Sequence, residues 1–383
     1  MRFLPVLSIA ALALIAALAG APRPAELHFK KITLDLGASE TAAIGDLNND
    51  GKPDVISGEH WYEAPTWKKH KLREIHFESN YIDNFSDLLL DVDGDGFLDV
   101  VSCSWFQRKI AWWRNPGRNQ GKNGGLWAET TIETGAPNEF CFLVDLDNDG
   151  QAREILTQFG NNKAPLKWFE VKDGKFVAHT VSPESYGHGI GAGDVNGDKR
   201  TDILTPQGWL EAPADPRQGN WVMHRDWQLE STGFIYAQDV NGDGRNDIVT
   251  SQAHDYGIFW LEHPAQPGAW KKTVIDDSWS QAHAMTLVDL DQDGLPDLLT
   301  GKRYMAHNGK DPGEKEPLGL YWYQRWKDAP QGKPSWVRHI IDYGTRAGGG
   351  MQLPVADIDG DGDLDFVAPG KAGLFLFVNQ TKE

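Results

Sequence analysis

Seven short acidic strings are the residues of this chain best suited to chemistry. DLNNDGKPD starts at Asp46, DVDGDGFLD at Asp91, DLDNDGQARE at Asp145 and DVNGDKRTD at Asp194. DVNGDGRND follows at Asp239, DLDQDGLPD at Asp289 and DIDGDGDLD at Asp357. Carboxylates or amides at positions one, three, five and nine, with Gly at six, gather several oxygens round one point on a tight loop. Calcium takes about 6–8 oxygens at roughly 2.3–2.6 Å and tolerates irregular geometry, whereas magnesium prefers a smaller octahedron. The expected ligands are Asp46, Asn48, Asp50 and Asp54; Asp91, Asp93, Asp95 and Asp99; and Asp145, Asp147, Asp149 and Glu154. Asp194, Asn196, Asp198 and Asp202; Asp239, Asn241, Asp243 and Asp247; Asp289, Asp291, Asp293 and Asp297; and Asp357, Asp359, Asp361 and Asp365 complete the set. Up to seven structural Ca²⁺ ions are expected. No Glu stands at position twelve and apolar runs flank each loop, so these are not EF-hands. The alternative is an acidic turn without metal, since Asp, Asn and Gly are ordinary turn formers. Seven repeats in one context favour the metal. Two loops depart from the pattern. Lys199 replaces the Gly of the fourth, and an extra residue moves Glu154 of the third to position ten, so these are the expected weak or empty sites.

A second group is rich in histidine. Six residues before each motif's first Asp stand Glu40, Phe85, Glu139, His188, Gly233, His283 and Met351, all in one register. Beyond each motif come His60, Trp105, Trp209, His254 and the run Lys302-Arg303-Tyr304, while the insertion from Gly301 to Gly319 adds His307 and Asp311. His188 and His283, with His254, suit one transition metal such as Zn²⁺, which would polarise a carbonyl. His60, Tyr304 or Glu139 would then move the neighbouring proton. Trp105 and Trp209 are expected near the same mouth, where they could stack on a sugar ring. The competing reading is a glycan- or protein-binding adhesion module without chemistry, its histidines merely polar surface residues. No G-x-S-x-G elbow, H-E-x-x-H pair or Gly-rich phosphate loop offers another mechanism.

The elements that must position these residues are short strands. Each motif lies between two apolar runs, such as Asp54-Val55-Ile56-Ser57 after the first. A strand centred on Trp61, Trp112, Trp168, Trp209, Trp260, Trp322 or Phe375 comes next, then a more polar fourth run. Four strands per repeat of about 45–50 residues mark a propeller blade. The expected fold is therefore an all-β, seven-bladed β-propeller. Its last repeat lacks a fourth strand, and Leu27 to Leu34 has the pattern to supply it, closing the ring and leaving no open edge. The strand-three tryptophans are expected in the core.

The seven D-x-[DN]-x-D-G-x-x-D loops with their flanking strands resemble the FG-GAP/VCBS repeat family. That resemblance implies a seven-bladed propeller with calcium between the first two strands of each blade. Strings such as GEHWYEAP and GWLEAP, with histidines ahead of the first strands, also look like the propeller of aldos-2-ulose dehydratase. This second likeness implies metal-assisted removal of water from a keto-sugar. The cupin modules of that enzyme are absent from this chain.

Composition narrows the partners. With 37 Lys and Arg against 55 Asp and Glu, the 383-residue chain carries a formal charge of −18 and no basic stripe, which excludes ordinary nucleic-acid binding. Apolar content of 40% and 11% aromatics suffice for a core. Two cysteines cannot make a disulfide scaffold. Cys103 and Cys141 are either bonded or free, and free thiols are expected because matching strand ends need not bring Cα atoms within about 7 Å. Residues 1–19 read as a signal peptide, with Arg2, an apolar run from Val6 to Leu18, and Ala17-Leu18-Ala19 as a cleavage signature. Residues 20–26 form a short linker and 27–383 a single domain. The expectation is a secreted or periplasmic monomer that binds carbohydrate or another small polar ligand, with no membrane insertion once the leader is removed.

Overall fold

The runs that follow the acidic loops are buried on both faces: Asp54–Ser57, Asp99–Cys103, Asp202–Thr205, Asp247–Ser251 and Asp297–Gly301 have no exposed residue. A strand with two apolar faces needs a sheet on either side. In the computed structural model this is met by sheets packed face to face around an axis, a β-propeller. The structure describes residues 26–119, 125–159, 163–326 and 334–381. The expected signal peptide and most of the linker lie outside the described residues.

Each acidic loop connects the first two strands of an antiparallel meander, as between Ala43–Gly45 and Asp54–Ser57. The expected seven separate blades are corrected here: five four-stranded sheets stand apart, and the repeats carrying the fourth and fifth loops join in one eight-stranded sheet. The join is a parallel pairing of their innermost strands, Ile190–Gly193 with Phe234–Gln238. Gly191 permits it, because a Cβ there would sit 1.7 Å from the Ile235 carbonyl oxygen. Any side chain would push the two strands apart.

Near the chain ends, Phe29–Asp35 pairs antiparallel with Gly373–Asn379, from Phe29 opposite Asn379 to Asp35 opposite Leu374. An extra hairpin, Phe77–Glu78 with Tyr81–Ile82, turns through Ser79 and Asn80, both at positive φ. It is the small primed-type turn that Asn favours. The axial channel is lined in part by Ala42, Ala43, Gly191 and Ala192, small residues at the most crowded radius.

The strand-three tryptophans pack inside the blades, and four have a histidine lid. Trp61, Trp168, Trp209 and Trp322 lie against His70, His179, His224 and His339 on the neighbouring fourth strands, with ring centroids 4.2–4.3 Å apart. In three of these pairs a Glu two residues after the Trp binds the histidine: Glu63, Glu170 and Glu211, at 2.8–3.0 Å. Four of the twelve histidines are thus structural. Trp209 belongs to this set, its indole donating to Asp226, so it does not reach the mouth where it was expected.

Candidate functional site

The acidic loops share one hydrogen-bond plan. In the first, Asp46 accepts from the amides of Asp50 and Gly51, Asn48 from Asp50, and Asp50 from Lys52. The ninth-position acid does a different job. Asp54 accepts from Leu47 N at 3.0 Å and from Ala64 N, beyond the third strand, at 2.9 Å. Asp99, Asp202, Asp247, Asp297 and Asp365 repeat this strut. Burial, outweighing those amides, raises the carboxyls of Asp54, Asp99, Asp202, Asp247 and Asp365 to about 6, Glu154 to about 7 and Asp297 to about 8. Oxygens of Asp91, Asp93 and Asp99, of Asp145, Asp147 and Asp149, and of Asp289, Asp291 and Asp297 lie within 4.8 Å of one another in each loop. Arginines lean on four loops: Arg114 on the second, Arg153 and Arg217 on the third, Arg200 on the fourth and Arg245 on the fifth. The two irregular loops keep the common shape. Lys199 takes φ +68° and its amide still reaches Asp194, while the longer Glu154 side chain still reaches Leu146 N.

At the mouth opposite these loops, a cavity of about 520 Å³ gathers residues from several repeats. His188 and Glu139 line it beside His254, with Tyr81, Phe85, Trp105 and Phe106 as an aromatic wall. His283, fully buried, packs edge-on against His188 and His254 with centroids 5.6 and 4.6 Å away. Gly233 makes room for it, since a Cβ there would meet the His283 carbonyl oxygen at 2.6 Å.

The hydrogen bonds determine which nitrogens face inward. His188 Nδ1 lies 2.9 Å from the Thr232 carbonyl oxygen, an acceptor only, so Nδ1 is the donor. His254 Nδ1 lies 2.9 Å from the Asp311 carboxylate and donates likewise. Two Nε2 atoms then face each other at 3.1 Å. Two lone pairs do not rest at that distance, so the contact holds either a metal ion or a proton on His188 Nε2, the nitrogen that also faces the Glu139 carboxylate. Glu139 Oε2, 2.9 Å from His188 Nε2, supports positive charge there. Burial disfavours a charged His188, but Glu139 prevails and raises it, whereas burial and the neighbouring His188 lower His254. His283 is held neutral by burial and by Arg303, and neither of its ring nitrogens has a hydrogen-bond partner. Buried polar atoms left this way are rare in native structures.

Behind the histidines runs a buried ionic chain. Arg303 Nη1 binds Glu139 Oε1 at 2.9 Å and its Nε binds Glu40 at 3.1 Å. Burial alone would raise the Glu139 carboxyl, but His188 and Arg303 together hold it far below the usual range. The structure thus brings His188, His254, His283 and Glu139 together. It does not bring His60 or Tyr304: His60 sits opposite Lys71 at the start of His60–Glu63, and Tyr304 is solvent-exposed, neither lining the cavity. Trp105 lines the cavity as expected. Sequence reasoning placed Arg303, His307 and Asp311 on this side without naming a chemical role for them, and all three line the cavity. Cys103 and Cys141 are free and buried, and burial, then a hydrogen bond with Cys141, raises the Cys103 thiol.

Two segments, residues 91–157 and 239–300, match the model of the FG-GAP-like repeat. The chain carries FG-GAP-like repeats. Each segment spans two successive acidic loops and the strands between them. Among curated proteins no sequence matches. A solved structure of an Agrocybe aegerita lectin, described as recognising non-reducing terminal N-acetylglucosamine, is similar with 16% identity and TM-score 0.44, covering 82% of this chain and 81% of its own. The rhamnogalacturonan lyase YesW is similar with 12% identity and TM-score 0.48, covering 91% of this chain and 72% of its own. Among the described residues, no helix is long and apolar enough to cross a membrane.

Proposed function

We propose that this FG-GAP-repeat propeller is an exported, calcium-bound protein whose mouth holds one transition metal and acts on carbohydrate as a metal-assisted lyase or dehydratase. The observation that carries the metal is the 3.1 Å contact between His188 and His254 Nε2, with both Nδ1 atoms committed elsewhere and His283 without a hydrogen bond beside them; a metal there would displace the proton between His188 Nε2 and Glu139. Two nitrogens at a tetrahedral Zn²⁺ with bonds of about 2.0–2.1 Å would stand about 3.3 Å apart. The fit is close. His188, His254 and His283 would be the ligands. A divalent cation bound there supplies Lewis acidity to a sugar carbonyl and acidifies the adjoining carbon–hydrogen bond.

The chain's own groups do the rest. Glu139 stays ionised and is aimed by Arg303, so it is ready to accept the proton; its low basicity is adequate only towards a substrate already acidified. The aromatic wall suits the apolar face of a sugar ring. The seven loops would carry calcium on the opposite side, where the ninth-position acids already tie each loop to its blade. The pairing of Phe29–Asp35 with Gly373–Asn379 would close the ring. The aromatic wall equally suits a non-catalytic glycan-binding module. Metal analysis separates the two readings: about one transition metal per chain beside calcium, lost in His188→Ala and His283→Ala, is expected of the enzyme. Calcium alone in the wild-type protein would hand the site to the binding module.

A further inference from the structure

The insertion between Asp297–Gly301 and Gly319–Trp326 carries Asp311 back over the histidine cluster. We propose that Asp311 is a positioning residue that fixes His254 in the one tautomer able to bind a metal through Nε2, so that metal affinity depends on how this loop is seated. The inference rests on the metal reading of the cluster. Its geometry is specific. Asp311 Oδ2 accepts from His254 Nδ1 at 2.9 Å and lies 2.8 Å from His307 Nδ1. An imidazole that gives its only proton to a carboxylate at Nδ1 must present a lone pair at Nε2, and the carboxylate makes that nitrogen more basic.

A second metal held by His254, His307 and Asp311 is the obvious rival, since their donor atoms lie within 4.8 Å of one another. The ring planes exclude it. His254 and His307 are stacked, with centroids 4.2 Å apart and planes 16° from parallel. A metal lies in the plane of the imidazole that binds it, and two nearly parallel, separated planes have no nearby point in common. Asp311 therefore acts as a shared acceptor, and His307 is a lid on the ring that Asp311 orients.

The loop is seated by contacts away from the cluster. Tyr256 Oη donates to Glu316 at 2.5 Å, Lys302 Nζ lies 3.6 Å from Glu316, and Lys371 Nζ donates to the Met305 carbonyl at 2.7 Å. The residue that sets the tautomer of His254 thus stands 57 positions along the chain, on a loop with its own supports.

Two readouts on the full mature chain test this. Competitive titration of Zn²⁺ against a chromophoric chelator should show Asp311→Ala binding about 10–100-fold more weakly than wild type. Asp311→Asn, which keeps an uncharged acceptor, should fall between them. In metal-free protein, ¹⁵N shifts of the His254 ring should report a proton on Nδ1 in wild type and on Nε2, or a mixture, in Asp311→Ala. If wild type and His283→Ala take up Zn²⁺ equally poorly, the metal reading fails, whatever Asp311 does. If wild type binds and His283→Ala does not, yet Asp311→Ala binds as tightly with Nδ1 still protonated, the positioning role is wrong. Should Asp311→Ala not fold, Asp311→Asn decides by the same two measurements, unchanged affinity and tautomer overturning the proposal.

Discussion

Replacing His283 by Leu should stabilise the protein without transition metal and destabilise it with that metal present. His283 is fully buried and both its ring nitrogens lack a hydrogen-bond partner, Glu139 standing 3.9 Å from Nε2. Leaving a buried donor or acceptor unpaired costs about 1–3 kcal/mol each, while swapping in an apolar side chain of similar volume costs under about 1.5 kcal/mol. Taking about 1–2 kcal/mol for each of the two nitrogens, within that range, and about 1 kcal/mol for the swap, the expected net gain for metal-free His283→Leu is about 1–3 kcal/mol. Unfolding entropy of about 2.1 cal/mol/K per residue makes each kcal/mol worth roughly 1.3 °C in a chain of this size, so Tm should rise by about 1–4 °C. With metal at about a thousandfold excess over Kd, the wild-type protein gains about 4.1 kcal/mol and the variant nothing, which reverses the order. Calorimetry with calcium held constant and transition metal removed or added measures both values. A metal-free variant less stable than wild type, with no reversal on adding metal, would show that His283 is a satisfied core residue and refute the reasoning.

Other expectations follow from the loops and the sheets. Chelation should lower Tm markedly, each occupied loop losing about 2.7 kcal/mol relative to a hundredfold calcium excess, with recovery by Ca²⁺ and little by Mg²⁺; an unchanged melt in chelator would remove calcium from the loops. The chelated protein should also become more stable as pH falls from 8 to 5. The ninth-position acids titrate at about 6–8 when folded, against about 4 unfolded, so over that window the native state binds more protons; a pH melting series that rises with pH would contradict it. Gly191→Ala should cost about 3 kcal/mol or more in urea unfolding, because its Cβ would overlap the Ile235 carbonyl oxygen, and a loss below 1 kcal/mol would mean the two strands can part freely. Removing residues through Gly37 should uncover the edge of Gly373–Asn379 and cause aggregation in light scattering, and a shortened chain as soluble and stable as its parent would deny that strand a closing role.

The acidic loops were legible because they are local. Apart from the strut of each ninth-position acid beyond the third strand, their backbone hydrogen bonds join residues two to eight positions apart, so type and spacing along the string suffice to specify the turn. The strands were legible for a similar reason, as runs such as DVIS and DIVTS announce burial on both faces. One register even indicated that Glu139, His188 and His283 share a mouth, because equivalent positions in a radial repeat converge on the axis. What the repeat could not tell lies between blades. Whether two blades merge depends on how closely Gly191 approaches Ile235. The clamp of Arg303 on Glu40 spans 263 positions, and His60 and Tyr304, of suitable type and on the expected side, simply lie away from the cavity. A histidine in the sequence has no tautomer and no neighbour. Thr232, Asp311 and the cross-strand tryptophans supply them, and only folding decides which histidines brace a blade and which gather at the mouth.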